Sequence, residues 1–180
     1  MNGGRPPILT TTSRKPARRT RSFHRDLVKS FVNLVRFTRG KYSVRDIVGL
    51  CQFRHYNRVI FIDEIRANPS RMRFYYVEGD DLKPAFILLL SGVRLIREFR
   101  NGKDVRARFI VPFSGTLTEN QIVDALAEFF GLRKLPPSES LKDKGAGIVV
   151  RERSDGIVAL TWVEAGKPTG FEIRVRKFVK

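Results

Sequence analysis

The sequence predicts an α/β protein built from two similar halves, with mixed sheets and packed helices. Three observations predict it. Short β-branched and aromatic runs alternate with stretches of helical period. A chain of 180 residues that is 42% hydrophobic buries a core without help from disulfides or metal. A short stretch also occurs twice, once over Val35–Val48 and again, with one gap, over Val111–Val123. Both copies read strand, glycine turn, capping box, then Ile-Val on a helix. Chance similarity is the competing reading of so short a stretch.

Residues 1–7 hold Gly3, Gly4, Pro6 and Pro7 and no apolar core, so they read as a flexible tail. The first half is expected over 8–82 and the second over 83–180. Ile8–Thr12 is the first expected strand. A helix follows from Pro16, whose missing N–H costs nothing in a first turn, to about Val32. Val35–Thr38 is the next strand, and Gly40 a turn. Ser43 opens a second helix with Asp46 as its capping-box partner. Arg58–Ile65 and Arg71–Val77 are strands around a turn at Asn68-Pro69. Glu78–Pro84 reads as a connector between the halves.

Strands at Phe86–Leu90, Val93–Phe99 and Val105–Val111 come next, with a turn at Asn101-Gly102. Thr118 is expected to cap a helix, with Gln121 in the capping box and Gly131 at the end. Arg133–Gly147 reads as a polar loop. Ile148–Arg153, Ile157–Val163 and Phe171–Val175 are the closing strands. Their turns are Ser154-Asp155-Gly156 and Gly166–Gly170.

Charge narrows the function. The chain carries 35 Lys plus Arg against 18 Asp plus Glu, a net +17, which attracts polyanions. Residues 1–45 hold 12 of the basic groups and a single acid, Asp26. Most of the basic residues are Arg, whose planar fork fits phosphates and stacks on bases. The longest apolar run, Ala85–Leu90, is too short to span a bilayer. One cysteine, Cys51, excludes an internal disulfide and points to a reducing compartment.

The first helix is the sharpest feature. Arg18, Arg21, Arg25 and Lys29 fall on one stripe. Phe23, Leu27, Phe31 and Leu34 fall on the opposite one. The apolar stripe docks on a sheet and the basic stripe faces outward. Ser13, Arg14, Lys15 and Arg19 extend the charge toward the helix start, where the backbone dipole also favours phosphate. Thr10, Thr11 and Thr12 add hydroxyls. The bland alternative is a solvated helix face, but such faces mix signs.

A second pattern lies on strands. Arg71 with Arg73, Arg106 with Arg108, Arg151 with Arg153, and Arg174 with Arg176 each place two arginines on one strand face. They either line a secondary RNA path or guard exposed sheet edges. Phe74, Tyr75 and Tyr76 either stack on unpaired bases or pack the core. His24 and His55 are isolated, and Cys51 sits on an apolar helix face as filler. Asp63 and Glu64 close a strand as nuclease carboxylates can, but no third ligand stands at readable spacing. No phosphate-binding Gly-x-x-x-x-Gly-Lys loop occurs. No catalytic residue, metal, cofactor or small-molecule substrate is expected.

The run Thr11-Thr12-Ser13-Arg14-Lys15-Pro16, then Arg18–Phe23 and Asp26-Leu27, resembles the opening of the Brix-domain family. Arg39-Gly40-Lys41 before the Ser43 helix resembles it too, as does Asn68-Pro69 before the strand at Arg73–Val77. The compact length is similar to archaeal members related to the small-subunit processome protein. The resemblance implies two halves, each like the anticodon-binding domain of certain tRNA synthetases. It also implies a non-enzymatic ribosome-biogenesis factor that binds ribosomal RNA precursor and assists its processing, alongside other ribosome-assembly proteins. The location implied is cytoplasmic in an archaeon and nucleolar in eukaryotic relatives.

The family's basic opening lands on Ser13, Arg14, Lys15, Arg18, Arg19 and Arg21, and Arg39 and Lys41 join the expected RNA contacts. The family's more C-terminal RNA-binding signature does not read in the second half. Three alternatives share some of these features: a structural ribosomal protein, a metal-dependent nuclease using Asp63 or Glu64, and a membrane-surface protein. The last needs Phe23, Leu27 and Phe31 exposed.

Overall fold

The computed structural model describes residues 5–137 and 139–180; the remainder of the expected tail, residues 1–4, lies outside them. The chain order is β1 (Ile8–Thr12), α1 (Arg18–Lys29), β2 (Leu34–Arg36), α2 (Val44–Phe53), β3 (Arg58–Ile65), β4 (Asn68–Glu78) and β5 (Asp81–Arg94). A short 3-10 turn (Ile96–Glu98) follows. Then come β6 (Phe109–Pro112), α3 (Leu117–Phe130), β7 (Arg133–Lys134), β8 (Ala146–Glu152), β9 (Val158–Glu164) and β10 (Lys167–Val179).

All ten strands form one mixed sheet, in the order β2-β1-β3-β4-β5-β10-β9-β8-β6-β7. The separate sheets expected from the sequence are therefore joined. The join is β5 against β10, antiparallel from Arg94↔Glu172 to Ile87↔Val179. Read outward from that join, the two sides have the same connectivity. β1 lies parallel to β2 and β3, and β6 lies parallel to β7 and β8. Each side sends one helix, α1 or α3, from its central parallel strand. The repeated stretches read in the sequence fall on β2–α2 and β6–α3, which are not counterparts, so that alignment was out of frame. β1–α1 is the counterpart of β6–α3.

The registers identify matching residues. Thr12 pairs with Ile62 and Pro112 with Val150, which makes Glu64 the counterpart of Glu152. Both do the same work. Glu64 accepts the N–H of Ala17, the N-cap of α1, at 3.0 Å. Glu152 accepts the hydroxyl of Thr116, the N-cap of α3, at 2.7 Å. Each half thus ties its helix start to the end of its own third strand.

Several local expectations shift. α1 begins at Arg18 because Ala17 is still extended, and it ends at Lys29 rather than near Val32. β2 ends at Arg36, short of Thr38. The expected connector is a tight hairpin around Gly79; β5 takes in the strand expected over Phe86–Leu90 and ends at Arg94, so the rest of the strand expected over Val93–Phe99 instead holds the 3-10 turn. The 82/83 boundary therefore falls inside β5. Pro84 is tolerated there because Tyr75 pairs with Pro84 and Phe74 with Phe86, leaving Ala85 as a bulge.

The two hairpin turns sit earlier than expected, by two residues at Arg66-Ala67 and by one at Ala165-Gly166, all at positive φ. Segment 103–108 precedes the short β6 instead of belonging to a strand from Val105. Thr116, not Thr118, caps α3, accepting the Glu119 N–H at 3.2 Å. Arg5 and its neighbours are not a free tail, since Arg5 donates to the carbonyls of Ala107 and Arg108.

One face of the sheet carries α1 and α3 over a single core, and α2 packs on the other face against Leu9, Val59 and Phe61. The helices of the main core interlock across the join. Phe23 of α1 packs on Phe171 of β10 at 5.8 Å. Phe129 of α3 packs edge-on to Phe74 of β4 at 5.1 Å. Phe31, just past α1, stacks on Phe130 at 4.0 Å and lies edge-on to Trp162 at 5.6 Å. Burial of such aromatics dominates core energetics. Neither half completes its core from its own residues. Replacing Phe130 by Ala is expected to cost about 3–5 kcal/mol, and urea unfolding should remain one cooperative transition with both halves lost together.

His24 fastens α1 to β1. Its imidazole Nε2 lies 2.6 Å from the Thr10 hydroxyl and 3.1 Å from the Thr10 carbonyl. Burial, with the Arg36 charge second, lowers its pKa to about 4. A depressed histidine pKa means the unfolded chain binds the proton first as pH falls from about 6.5. The neutral imidazole's stabilisation is whole above that pH and is lost progressively down to about 4, by roughly 3 kcal/mol. Urea titrations at pH 7 and pH 4.5 should show this loss, and His24→Leu should remove that part of the pH slope.

Candidate nucleic-acid interface

The candidate interface is built on α1. Phe23 and Leu27 are buried, so the helix is locked in rotation. Arg18, Arg21, Arg25 and Lys29 are all exposed on its outer side, as the periodicity predicted. Around Ser22, Arg18, Arg21 and Arg25 meet Arg36 of β2 and Arg97 of the 3-10 turn. Together they line a shallow cleft of about 270 Å³ that no carboxylate lines. Arg14 and Lys15 stand exposed at the mouth of the β1–α1 loop. The Ser13 and Thr11 hydroxyl oxygens are buried there with no hydrogen-bond partner. Thr10 and Thr12 are taken, by His24 and by the Ser13 carbonyl.

Charge on this helix is partitioned. Arg19 turns away from the cleft, donating to the Val93 carbonyl at 3.0 Å and to Glu98. That contact holds the Glu98 carboxyl below its usual value. Lys29 is paired with Asp104 at 2.7 Å. Asp26, the one acid of α1, is buried and accepts the Ile96 N–H at 3.0 Å, which seats Arg97 at the cleft. Its carboxyl pKa is nonetheless raised, mainly by burial. The structure therefore keeps Arg18, Arg21 and Arg25 at the cleft, Arg25 lying 3.8 Å from the Asp26 carboxylate, and gives Arg19 and Lys29 to Glu98 and Asp104. Sequence reasoning missed Arg36 and Arg97. Arg36 carried a strand pattern and Arg97 lay inside an expected strand, so only the folded chain brings them to α1.

The other candidates separate. Arg39 donates to the Tyr42 carbonyl and lies 5.6 Å over Phe61, while Lys41 is exposed. Arg71 and Arg73 both bind Asp63, each through Nε at 2.7 Å, and Arg73 packs over Phe61. Arg106 and Arg108 are exposed, but on the extended segment before β6 rather than on a strand. Arg174 leans toward Glu172 at 3.7 Å, and Arg176 is exposed. Arg71, Arg73, Arg151 and Arg174 lie on the sheet face opposite α1, so they do not continue the α1 surface.

Phe74 is core, and Tyr75 and Tyr76 are half-buried. The carboxylates weighed for catalysis are both engaged, Asp63 by two arginines and Glu64 by the start of α1. Among the described residues, no group of three or more His, Cys, Asp or Glu stands close enough to hold a metal ion. Cys51 is buried, which pushes its thiol pKa up to about 11. No helix of the described residues is long and apolar enough to cross a membrane.

No protein-family profile matches the chain. Individual proteins do. It is 34% identical, over 93% of both chains, to a probable Brix domain-containing ribosomal biogenesis protein of Aeropyrum pernix. It is 30% identical to the one of Pyrobaculum aerophilum, over 99% of this chain and 98% of that one. A match at 38% identity to the one of Thermococcus kodakarensis spans 68% of this chain and 60% of that protein. The crystal structure of a probable ribosomal biogenesis protein from Aeropyrum pernix superposes with a TM-score of 0.78 at 30% identity, covering 97% of this chain and 99% of that one. Mil, an archaeal Imp4-like protein, shares the fold with a TM-score of 0.68 over 96% of this chain and 99% of that one, at 24% identity. With relatives matched end to end and the same fold in a solved one, the chain belongs to the family of Brix domain-containing ribosomal biogenesis proteins, in its archaeal-like form.

Proposed function

We propose that the protein binds ribosomal RNA precursor through the outer face of α1 and assists rRNA processing and subunit assembly without catalysing a reaction. The observation that carries this reading is the arginine cleft. Arg18, Arg21, Arg25, Arg36 and Arg97 converge on Ser22, and a set of guanidinium forks with no lining acid fits a phosphate backbone. Phosphate contacts of this kind position an RNA without reading its sequence. Ser13, Arg14 and Lys15 extend the contact along the β1–α1 loop, and Arg39 and the exposed Lys41 are further proposed contacts.

Burial of Phe23, Leu27 and Phe31 removes the apolar surface that a membrane-bound helix needs. The relatives' names place them in ribosomal biogenesis, which supports ribosomal partners, including other assembly proteins, and a cytoplasmic location in an archaeal cell. The matched connectivity and the paired Glu64 and Glu152 clamps support a duplication of one ancestral half, of anticodon-binding type. The divide then falls after β5.

The test is a binding titration of the whole protein with a precursor rRNA transcript. Arg18→Glu, Arg21→Glu and Arg25→Glu together should weaken binding at least a hundredfold with the thermal unfolding curve unchanged. Arg36→Ala and Arg97→Ala should each lower the slope of log affinity against log salt by about 1. Arg19→Ala and Lys29→Ala should change it little, because those charges already have partners. Normal binding by the triple variant would remove α1 as the interface.

A further inference from the structure

The two halves differ between their second and third strands. Between β2 and β3 the chain forms α2, whose Ile47 and Cys51 cover Leu9, Val59 and Phe61. Between β7 and β8 no helix forms among the described residues, and Leu135 and Leu141 pack with Phe109, Val111, Val149 and Val163. Phe109 lies flat on the sheet there because position 147 is glycine; a Cβ would come within 2.2 Å of its ring. Beyond this small cluster the face is open. A cleft of about 530 Å³ runs along it, lined among others by Arg94, Phe113, Arg151, Arg153 and Thr161. Phe113 is 48% exposed, and the Arg151 guanidinium lies over its ring at 4.0 Å.

Two features decide what this face takes. Its first-half counterpart is already covered, by α2 and by Arg39 and Arg73 over Phe61, whereas this one leaves Arg94, Arg151 and Arg153 along an open cleft. Glu172 also lines the cleft, but Arg153 at 3.4 Å and Arg174 at 3.7 Å already share it; an apolar helix laid on the face would bury Arg94 and Arg151, which have no acid partner among the described residues. A polyanion meets them without that cost. The exposed Phe113–Arg151 pair adds an aromatic ring and a planar cation, the two surfaces on which unpaired bases stack.

We infer that this open face is a second RNA site, specific for single-stranded segments. One base stacks at Phe113–Arg151, and the flanking phosphates meet Arg94 and Arg153. The inference rests on the reading of the chain as an RNA-binding protein, but on the opposite face of the sheet from α1.

The test titrates the whole protein with an unstructured oligonucleotide of about 12 nucleotides and, separately, with duplex RNA. Phe113→Ala should weaken single-strand binding about tenfold and leave duplex binding unchanged, and Phe113→Trp should restore it. If Phe113→Ala lowers the melting temperature, Arg94→Ala supplies the same comparison, with a loss of a few-fold. Equal loss on both RNAs, or none on the single strand, overturns the proposal. So does a protein helix that seats on this face and is not displaced by the oligonucleotide. Charge reversal on α1 separates the two readings: a protein that loses duplex binding there yet ignores Phe113→Ala keeps the α1 interface and loses only this site.

Discussion

Phe31 leaves the end of α1, stacks on Phe130 of α3 and meets Trp162 of β9 edge-on. Through this contact the helix of one half and the helix and sheet of the other share a core. The contact is reinforced by the main chain beside it: the Ser30 carbonyl accepts both the Trp162 indole N–H at 3.3 Å and the Ala107 N–H at 2.9 Å. Asn33 donates to the Phe130 carbonyl. The β5–β10 pairing supplies continuity of the sheet, and the interlocked aromatics, with Leu27, Ile122 and Leu126 beside them, bury both helices. Ring-on-ring packing at this density tolerates little displacement, so residues of the second half join Thr10 and Glu64 of the first in fixing the orientation of α1.

That orientation decides the surface. With Phe23 and Leu27 pinned inward, the arginines of α1 have one direction left. The acids that could neutralise them are used for structure. Asp26 holds the turn after β5, Glu98 takes Arg19, and Asp104 takes Lys29. The same thrift operates on the other face, where Asp63 occupies Arg71 and Arg73. A net charge of +17 is thus not spread evenly. It gathers where arginines outnumber the acids beside them, at the α1 cleft and on the uncovered face of the second half.

What was legible in the sequence follows from range. β1, β3, the Ser43–Asp46 capping box and the two faces of α1 are local patterns, and each stands where its residues put it. The single sheet was not legible, because β5 and β10 are distant in sequence and their pairing has no local signature. Glu78–Pro84 misled for a chemical reason: Gly79, Asp80 and Pro84 are loop residues, yet here they make a hairpin turn and a bulge. Thr118 looked like a cap because a Gln follows at the right spacing, whereas Thr116 has Glu119 in that position. The core of the candidate site was legible in Arg18, Arg21 and Arg25. Arg36 and Arg97 were hidden, since only folding brings β2 and the 3-10 turn beside Ser22.

The most direct measurement is crosslinking of RNA to the protein in its native cells, with sequencing of the RNA and mapping of the crosslinked peptides. Crosslinks that join unprocessed ribosomal RNA to the segment containing Arg14–Arg25, or to Arg36 and Arg97, are the predicted result. Recovery of mature ribosomal RNA alone, or of crosslinks that avoid α1 altogether, would contradict an assembly role centred on that helix.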